Sequence, residues 1–171
     1  MFARIFTVAH HRDADYFQVS PVEIEASSAD GLPSMVPFGL PKGCGVLDRV
    51  RCAVRETGKV ITGFNTTINV RGLYRSSATD GLDLAVAMAL LVSTGEVTLK
   101  SDKYAFFGNL SLDGRLNRPS EFISVVCNDV TGNACEGKVL IIPKECEKDK
   151  PYGIKCIAVE TLEECIKVCC K

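Results

Sequence analysis

No apolar run in this sequence approaches the ~20 residues that a membrane-spanning helix requires, so a membrane-embedded chain is not expected. The opening "MFARIFTVAHHRD" is apolar but short, and His10, His11 and Arg12 break it too early for a secretory leader. A cytosolic setting is the resulting expectation. An excess of positive charge is missing too. Twenty Lys and Arg stand against 21 Asp and Glu, a net charge of −1, which argues against a broadly basic nucleic-acid-binding surface and leaves room only for a local patch. Histidine is scarce: His10 and His11 are all there is, and no G-x-S-x-G elbow occurs. The usual layouts of Ser-His and Cys-His hydrolases therefore find little support. The nine cysteines never fall in C-x-x-C spacing, which removes the common zinc and thiol-redox arrangements. An odd count cannot pair completely within one chain, so reduced thiols acting as small core residues are expected. Cys165 and Cys169, four apart on an expected helix, are the one pair that could share a ligand face.

What is present reads as one α/β domain over residues 1–171, with 46% hydrophobic and 24% charged residues and a real core. "ARIFTVA" and "FQVSPVEIEAS" are rich in β-branched and aromatic residues and read as strands. Ser34 to Phe38 is a third short strand, which Pro37 assigns to a sheet edge or an irregularity. The period then changes. "GVLDRVRCAVRETGK" puts Val46, Leu47, Val50, Ala53 and Val54 on one helical stripe, with Arg49, Arg51 and Arg55 off it and Gly58 as the stop. "FNTTINVRG" is a strand, "LYRSSAT" a loop, and "DGLDLAVAMALLVSTGEV" an apolar helix. In "LSLDGRLN" the Asp113-Gly114 dipeptide favours a type I′ hairpin turn. Ser120-Glu121 opens a helix, "EFISVVCNDV"; "KVLIIP" and "IKCIAVE" are strands. "TLEECIKVCCK" closes the chain as a helix with a capping box from Thr161 and Glu164 and an apolar face of Leu162, Cys165, Ile166 and Cys169. The alternation of strands and helices implies a mixed sheet with helices packed on it.

Two motifs invite a chemical reading. "GNACEGKV" (132–139) fits G-x-x-x-x-G-K but places Val139 where a phosphate loop needs Ser or Thr. Its order is also wrong, a helix before and a strand after, so no free helix N-terminus faces a phosphate. It reads as a helix-to-strand turn ended by Gly137. The second motif is the pair Asp80 and Asp83 at the mouth of the apolar helix. Paired carboxylates can do acid–base work. A carboxylate in a helix's first turn also interacts with the exposed N–H groups for about 0.3–1 kcal/mol, and capping is the simpler account.

The whole chain resembles the N-terminal domain of the ComM family, the magnesium-chelatase-like AAA+ proteins, a relative of the Lon peptidase domain. The resemblance rests on "GLPSMVPFGLPKGCGVLDRVRCAVRETG", "TINVRGLYRSSATDGLDLAVAMALLVSTGEV", "FFGNLSLDGRLNRP" and "KVLIIP", in family order. It implies a Lon-protease-domain-like α/β (α+β) fold. In active Lon-type peptidases the segment like "DGLDLA" carries the nucleophilic Ser, and a Lys some forty residues on activates it. Here Asp83 stands at the Ser position and Ile123 or Ser124 at the Lys position, so both halves of the dyad are missing. A carboxylate cannot replace an alkoxide that must attack a carbonyl and leave as an ester.

The resemblance therefore implies a chain without peptidase activity and without a cofactor of its own. It would be the accessory domain of a hexameric ATPase linked to DNA branch migration, recombination and natural transformation. The AAA+ module is absent from these 171 residues. The candidate partners are that module, DNA and further copies of the chain, with no membrane. Arg71, Arg75, Arg115 and Arg118 lie in loops or turns and form the candidate phosphate-binding patch; the alternative is that they pair with acids such as Asp80 and Asp113. A Lon-type ATP-dependent serine peptidase and a stand-alone binding module are the competing readings, the first opposed by the missing dyad. One expectation is open to direct test: the chain binds no ATP·Mg. Micromolar affinity by calorimetry that is lost in Lys138→Ala would show that "GNACEGKV" is a real nucleotide site.

Overall fold

The computed structural model describes residues 1–74 and 77–171. Among these described residues nine strands and five helices follow one another: β1 (Phe2–Arg12), β2 (Phe17–Ala29), β3 (Ser34–Phe38), α1 (Val46–Glu56), β4 (Asn65–Arg71), α2 (Asp83–Ser93), β5 (Tyr104–Phe106), β6 (Asn109–Leu110), β7 (Leu116–Asn117), α3 (Phe122–Val126), α4 (Asp129–Ala134), β8 (Val139–Pro143), β9 (Lys155–Val159) and α5 (Leu162–Cys169). A 3₁₀ turn, Lys144–Asp149, joins β8 to β9; nothing in its sequence had marked it as helical. Seven strands form one mixed sheet in the order β3-β4-β2-β1-β5-β8-β9. β1, β2 and β4 are antiparallel neighbours, and β5, β8 and β9 run parallel to β1. This is the α/β architecture with a mixed sheet that the strand and helix periods implied.

The sheet's two halves differ because their sequences differ. In "VEIEA" of β2, Val22, Ile24 and Ala26 point down into the core under α1 and α2. Glu23 and Glu25 point to the other, open face and meet Arg71 and Arg4, respectively, each at 3.1 Å. Such a strict alternation is the signature of a strand with one face in water. "KVLIIP" of β8 shows no alternation, and both of its faces are covered: Ile141 packs towards α2 and α5, Leu140 and Ile142 towards α3. β3 sits at the sheet edge, paired with β4 alone. Ser34 N–H donates to Phe64 O. By the two-residue period of a strand, the Pro37 nitrogen then points to the free side, where a missing N–H costs nothing.

The centre of the molecule is α2. Its residues Asp83–Leu91 are all buried, as is Ser93, so it is apolar around its whole circumference because sheet and helices enclose it. At 11 residues it is far shorter than a membrane span, and among the described residues no helix is long and apolar enough to cross a membrane. The polar Ser93 is satisfied by Ser28, 2.8 Å away, which in turn meets Thr66 at 2.8 Å.

Three local expectations are corrected. The hairpin between β6 and β7 is not type I′, which needs a positive φ at both central residues. Only Gly114 has one (+85°). Gly114 N–H donates to Ser111 O and Ser111 N–H to Arg115 O, the pattern of a three-residue loop with a left-handed glycine at its end. "EFISVVCNDV" is not one helix. Asn128 adopts an extended backbone and accepts from Val130 N–H at 3.0 Å, ending α3's run and capping α4. At α5, Thr161 caps as expected, accepting from Glu164 N–H at 3.1 Å, but the Glu164 carboxylate reaches Glu160 N–H, one residue further back than a capping box predicts. "GNACEGKV" is the helix-to-strand turn read from sequence, with Gly137 at φ +69° after α4 and before β8. Asn128→Ala should lower stability by about 1 kcal/mol, measurable as a reduced urea midpoint with an unchanged m-value.

Candidate functional site

The mouth of α2 is where the two quoted aspartates meet the hairpin. It opens on a cleft of about 680 Å³ lined in part by Cys44, Arg49, Asp80, Asn109, Ser111 and Asn117. Gly81 makes the approach possible. Its φ is +95°, and a Cβ there would lie 2.1 Å from the Phe107 ring. Its N–H donates to Asn109 Oδ1 at 2.6 Å, and its carbonyl accepts from Gly108 N–H at 3.0 Å. Any side chain at this position would drive Phe107 out of its place and open the segment.

Asp80 fastens the far end of the hairpin. Its carboxylate accepts from Ser120 N–H at 2.7 Å, from Ser120 Oγ at 2.6 Å and from Asn109 Nδ2. Burial alone would raise its pKa. The hydrogen bonds from Ser120 and Asn109 more than offset that, and the carboxyl sits below the ordinary aspartate value.

Asp83 has a different task from the one expected. It opens α2 but makes no side-chain cap; Leu82 is the N-cap residue. Its carboxylate, 0% exposed, is gripped by Arg49 of α1, Nε to Oδ2 at 2.7 Å and Nη2 to Oδ1 at 2.9 Å. Oδ2 also accepts from Leu110 N–H of β6 at 3.0 Å. One carboxylate thus ties together α1, α2 and the hairpin. The hydrogen bonds to Asp83 raise the Arg49 pKa above its usual value despite partial burial. Arg49 was read as lying off the apolar stripe. It sits on the stripe's margin, one turn before Ala53, whereas Arg51 and Arg55 lie on the opposite side of α1.

Ile123 and Ser124 are exposed on α3. Arg71, expected in a loop or turn, is instead the last residue of β4, paired with β2 on the open face of the sheet and 3.1 Å from Glu23. Arg115 lies 3.6 Å from Asp113. Arg118 pairs with Asp149 at 2.5 Å and covers the Phe122 ring. Arg75 falls outside the described residues. All nine cysteines are free, and Cys165 is buried with its Sγ 4.0 Å from Met88 Sδ. No group of three or more His, Cys, Asp or Glu suited to a metal occurs among the described residues.

The sequence profile of the family described as subunit ChlI of Mg-chelatase matches residues 24–146, a span that holds Arg49, both aspartates and the whole hairpin. The chain belongs to this family. It is similar to an uncharacterized protein, YifB, of Escherichia coli (strain K12), with 28% identity over 146 residues. It is likewise similar to YifB of Salmonella typhimurium (strain LT2), with 30% identity over 112 residues. These alignments cover 84% and 64% of the chain, but only 28% and 22% of the two relatives. The expected magnesium-chelatase-like affiliation is thus found.

The Arg49 grip carries a quantitative consequence. Arg49→Ala leaves a buried, unpaired carboxylate, and such losses cost about 3–5 kcal/mol. Arg49→Lys keeps the charge but loses the two-pronged fit, and a smaller loss of roughly 1–2 kcal/mol is expected. Chemical denaturation of the two variants beside the parent measures both.

Proposed function

We propose that this chain is a non-catalytic, Lon-peptidase-like accessory domain of a ComM-type AAA+ ATPase, serving assembly or DNA contacts. The reading rests on one observation above all: where a Lon-type nucleophile would stand there is Asp83, buried and held by Arg49 and the Leu110 N–H. An acyl-transfer nucleophile must reach a carbonyl carbon from an exposed position and leave again. A carboxylate closed in by two guanidinium hydrogen bonds and a backbone N–H does neither. Ile123 and Ser124 supply no amine to activate a neighbour. The mouth of α2 is used here as a structural joint, with the polar cleft left outside it.

The greater length of the YifB relatives supports a role inside a larger machine, which in this reading moves branched DNA during recombination and natural transformation. Within it, assembly is the better-supported task for this domain. Arg71, Arg115 and Arg118 each have a carboxylate partner within 4 Å, so each must give up that partner to hold a phosphate.

Casein and small fluorogenic peptides should remain uncleaved, and a serine-directed fluorophosphonate should not label the chain. Specific labelling abolished by one Ser→Ala substitution would overturn the non-peptidase reading. For DNA, binding that weakens steeply with salt, with a slope that flattens in Arg71→Ala plus Arg118→Ala, would place the contact on this domain. An unchanged slope would assign it elsewhere.

A further inference from the structure

We propose that His10 is a proton-responsive element, whose charging loosens the Asp80 anchor at the mouth of α2. The inference does not depend on the functional reading above. His10 is 6% exposed in β1, and its Nδ1 is buried without a hydrogen-bond partner. The imidazole stacks on Phe17, with ring centroids 5.5 Å apart.

Among the described residues, the charges that act on the ring come from three elements. Asp80, in the segment before α2, and Glu121, at the start of α3, act on it as negative charges, and Arg12 of β1 itself acts as a positive one. β2 contributes Phe17, whose ring also lies under the Arg12 guanidinium, and Val19, paired with His10 across the sheet; neither titrates. Both carboxylates are already engaged. Asp80 holds Ser120 and Asn109, and Glu121 holds Arg12 at 3.2 Å.

A neutral imidazole can leave Nδ1 as an unused acceptor, whereas an imidazolium presents N–H donors at both nitrogens. The new donor at Nδ1 has no free acceptor among the described residues. It either stays unpaired in a buried site or draws Asp80 away from Ser120. The connection is short, because His10 O also accepts from Ala78 N–H at 2.8 Å, two residues before Asp80. Burial depresses the His10 pKa, and the attraction of Asp80 and Glu121 only partly reverses this. The unfolded chain therefore binds the proton first. The stability that neutral His10 supplies is complete above an unfolded value of about 6.5 and is lost as pH falls below it.

The test uses the whole chain, with His10→Gln and with His11→Gln as the control. Melting temperatures are taken at about pH 7.5 and 5.5, a window above the carboxylate range. Exchange protection of the Ser120 amide is followed by NMR at both values. The parent should lose melting temperature at the lower pH, and Ser120 protection should fall there as well. His10→Gln should lose neither, and His11→Gln should behave as the parent. In the parent itself, which requires no variant to fold, the His10 ring should titrate below an unfolded-chain histidine. An equal decline in His10→Gln, Ser120 protection that does not change with pH, or a His10 midpoint at or above the unfolded value overturns the proposal.

Discussion

A carboxylate with no solvent contact cannot be left alone. Desolvating an ion costs several kcal/mol even after the protein relaxes, and the cost at Asp83 must be met by its neighbours. Arg49 meets it with two short hydrogen bonds, and the Leu110 N–H adds a third. Because those donors belong to α1 and β6, satisfying one charge fixes the position of two other elements against α2. Arg49 retains 35% of its side-chain exposure, so the guanidinium keeps part of its hydration while the carboxylate gives up all of its own. The same residue types fully buried would face a larger penalty.

Asp80 and Gly81 extend the joint. Gly81 lets the chain pass against the Phe107 ring, where no side chain fits, and its N–H and C=O are both used on residues 108 and 109. Asp80 carries the contact on to Ser120 and the start of α3. Within four residues the chain thus binds α1, the β6–β7 hairpin and the α3 layer to its most buried helix. This use of the helix mouth is why we read the domain as a scaffold: polar groups that would have to move in catalysis are committed to one another.

Much of this architecture was legible in the sequence, and the reasons are local. The alternation in "VEIEA" fits a half-exposed strand and the unbroken apolar run of "KVLIIP" a covered one, and Pro37 marked the sheet edge, because period and proline geometry are properties of the segment itself. The misreadings arose where a tertiary partner decided the outcome. Asp83 has the position of a helix-capping acid, but a guanidinium 34 residues earlier in the chain takes its carboxylate. Arg49 carried a usable signal, since it borders the apolar stripe of α1 while Arg51 and Arg55 do not. The break at Asn128 was also readable as an N-cap residue inside an apparently continuous helical run. For the turn at Asp113-Gly114, the dipeptide gave the place correctly. The hydrogen bond from Gly114 N–H to Ser111 O, which sets the turn type, depended on register that the sequence does not express.

The central claim is that Arg49 and Asp83 act as one unit, and a double-mutant cycle with Arg49→Ala, Asp83→Ala and the double variant measures it most directly. If the pair is the joint described here, each single substitution is costly and the coupling energy is on the order of 2 kcal/mol, with the double variant more stable than the sum of the single losses predicts. Additive losses, with coupling within about 0.5 kcal/mol of zero, would contradict the account and leave the fold resting on its apolar core alone.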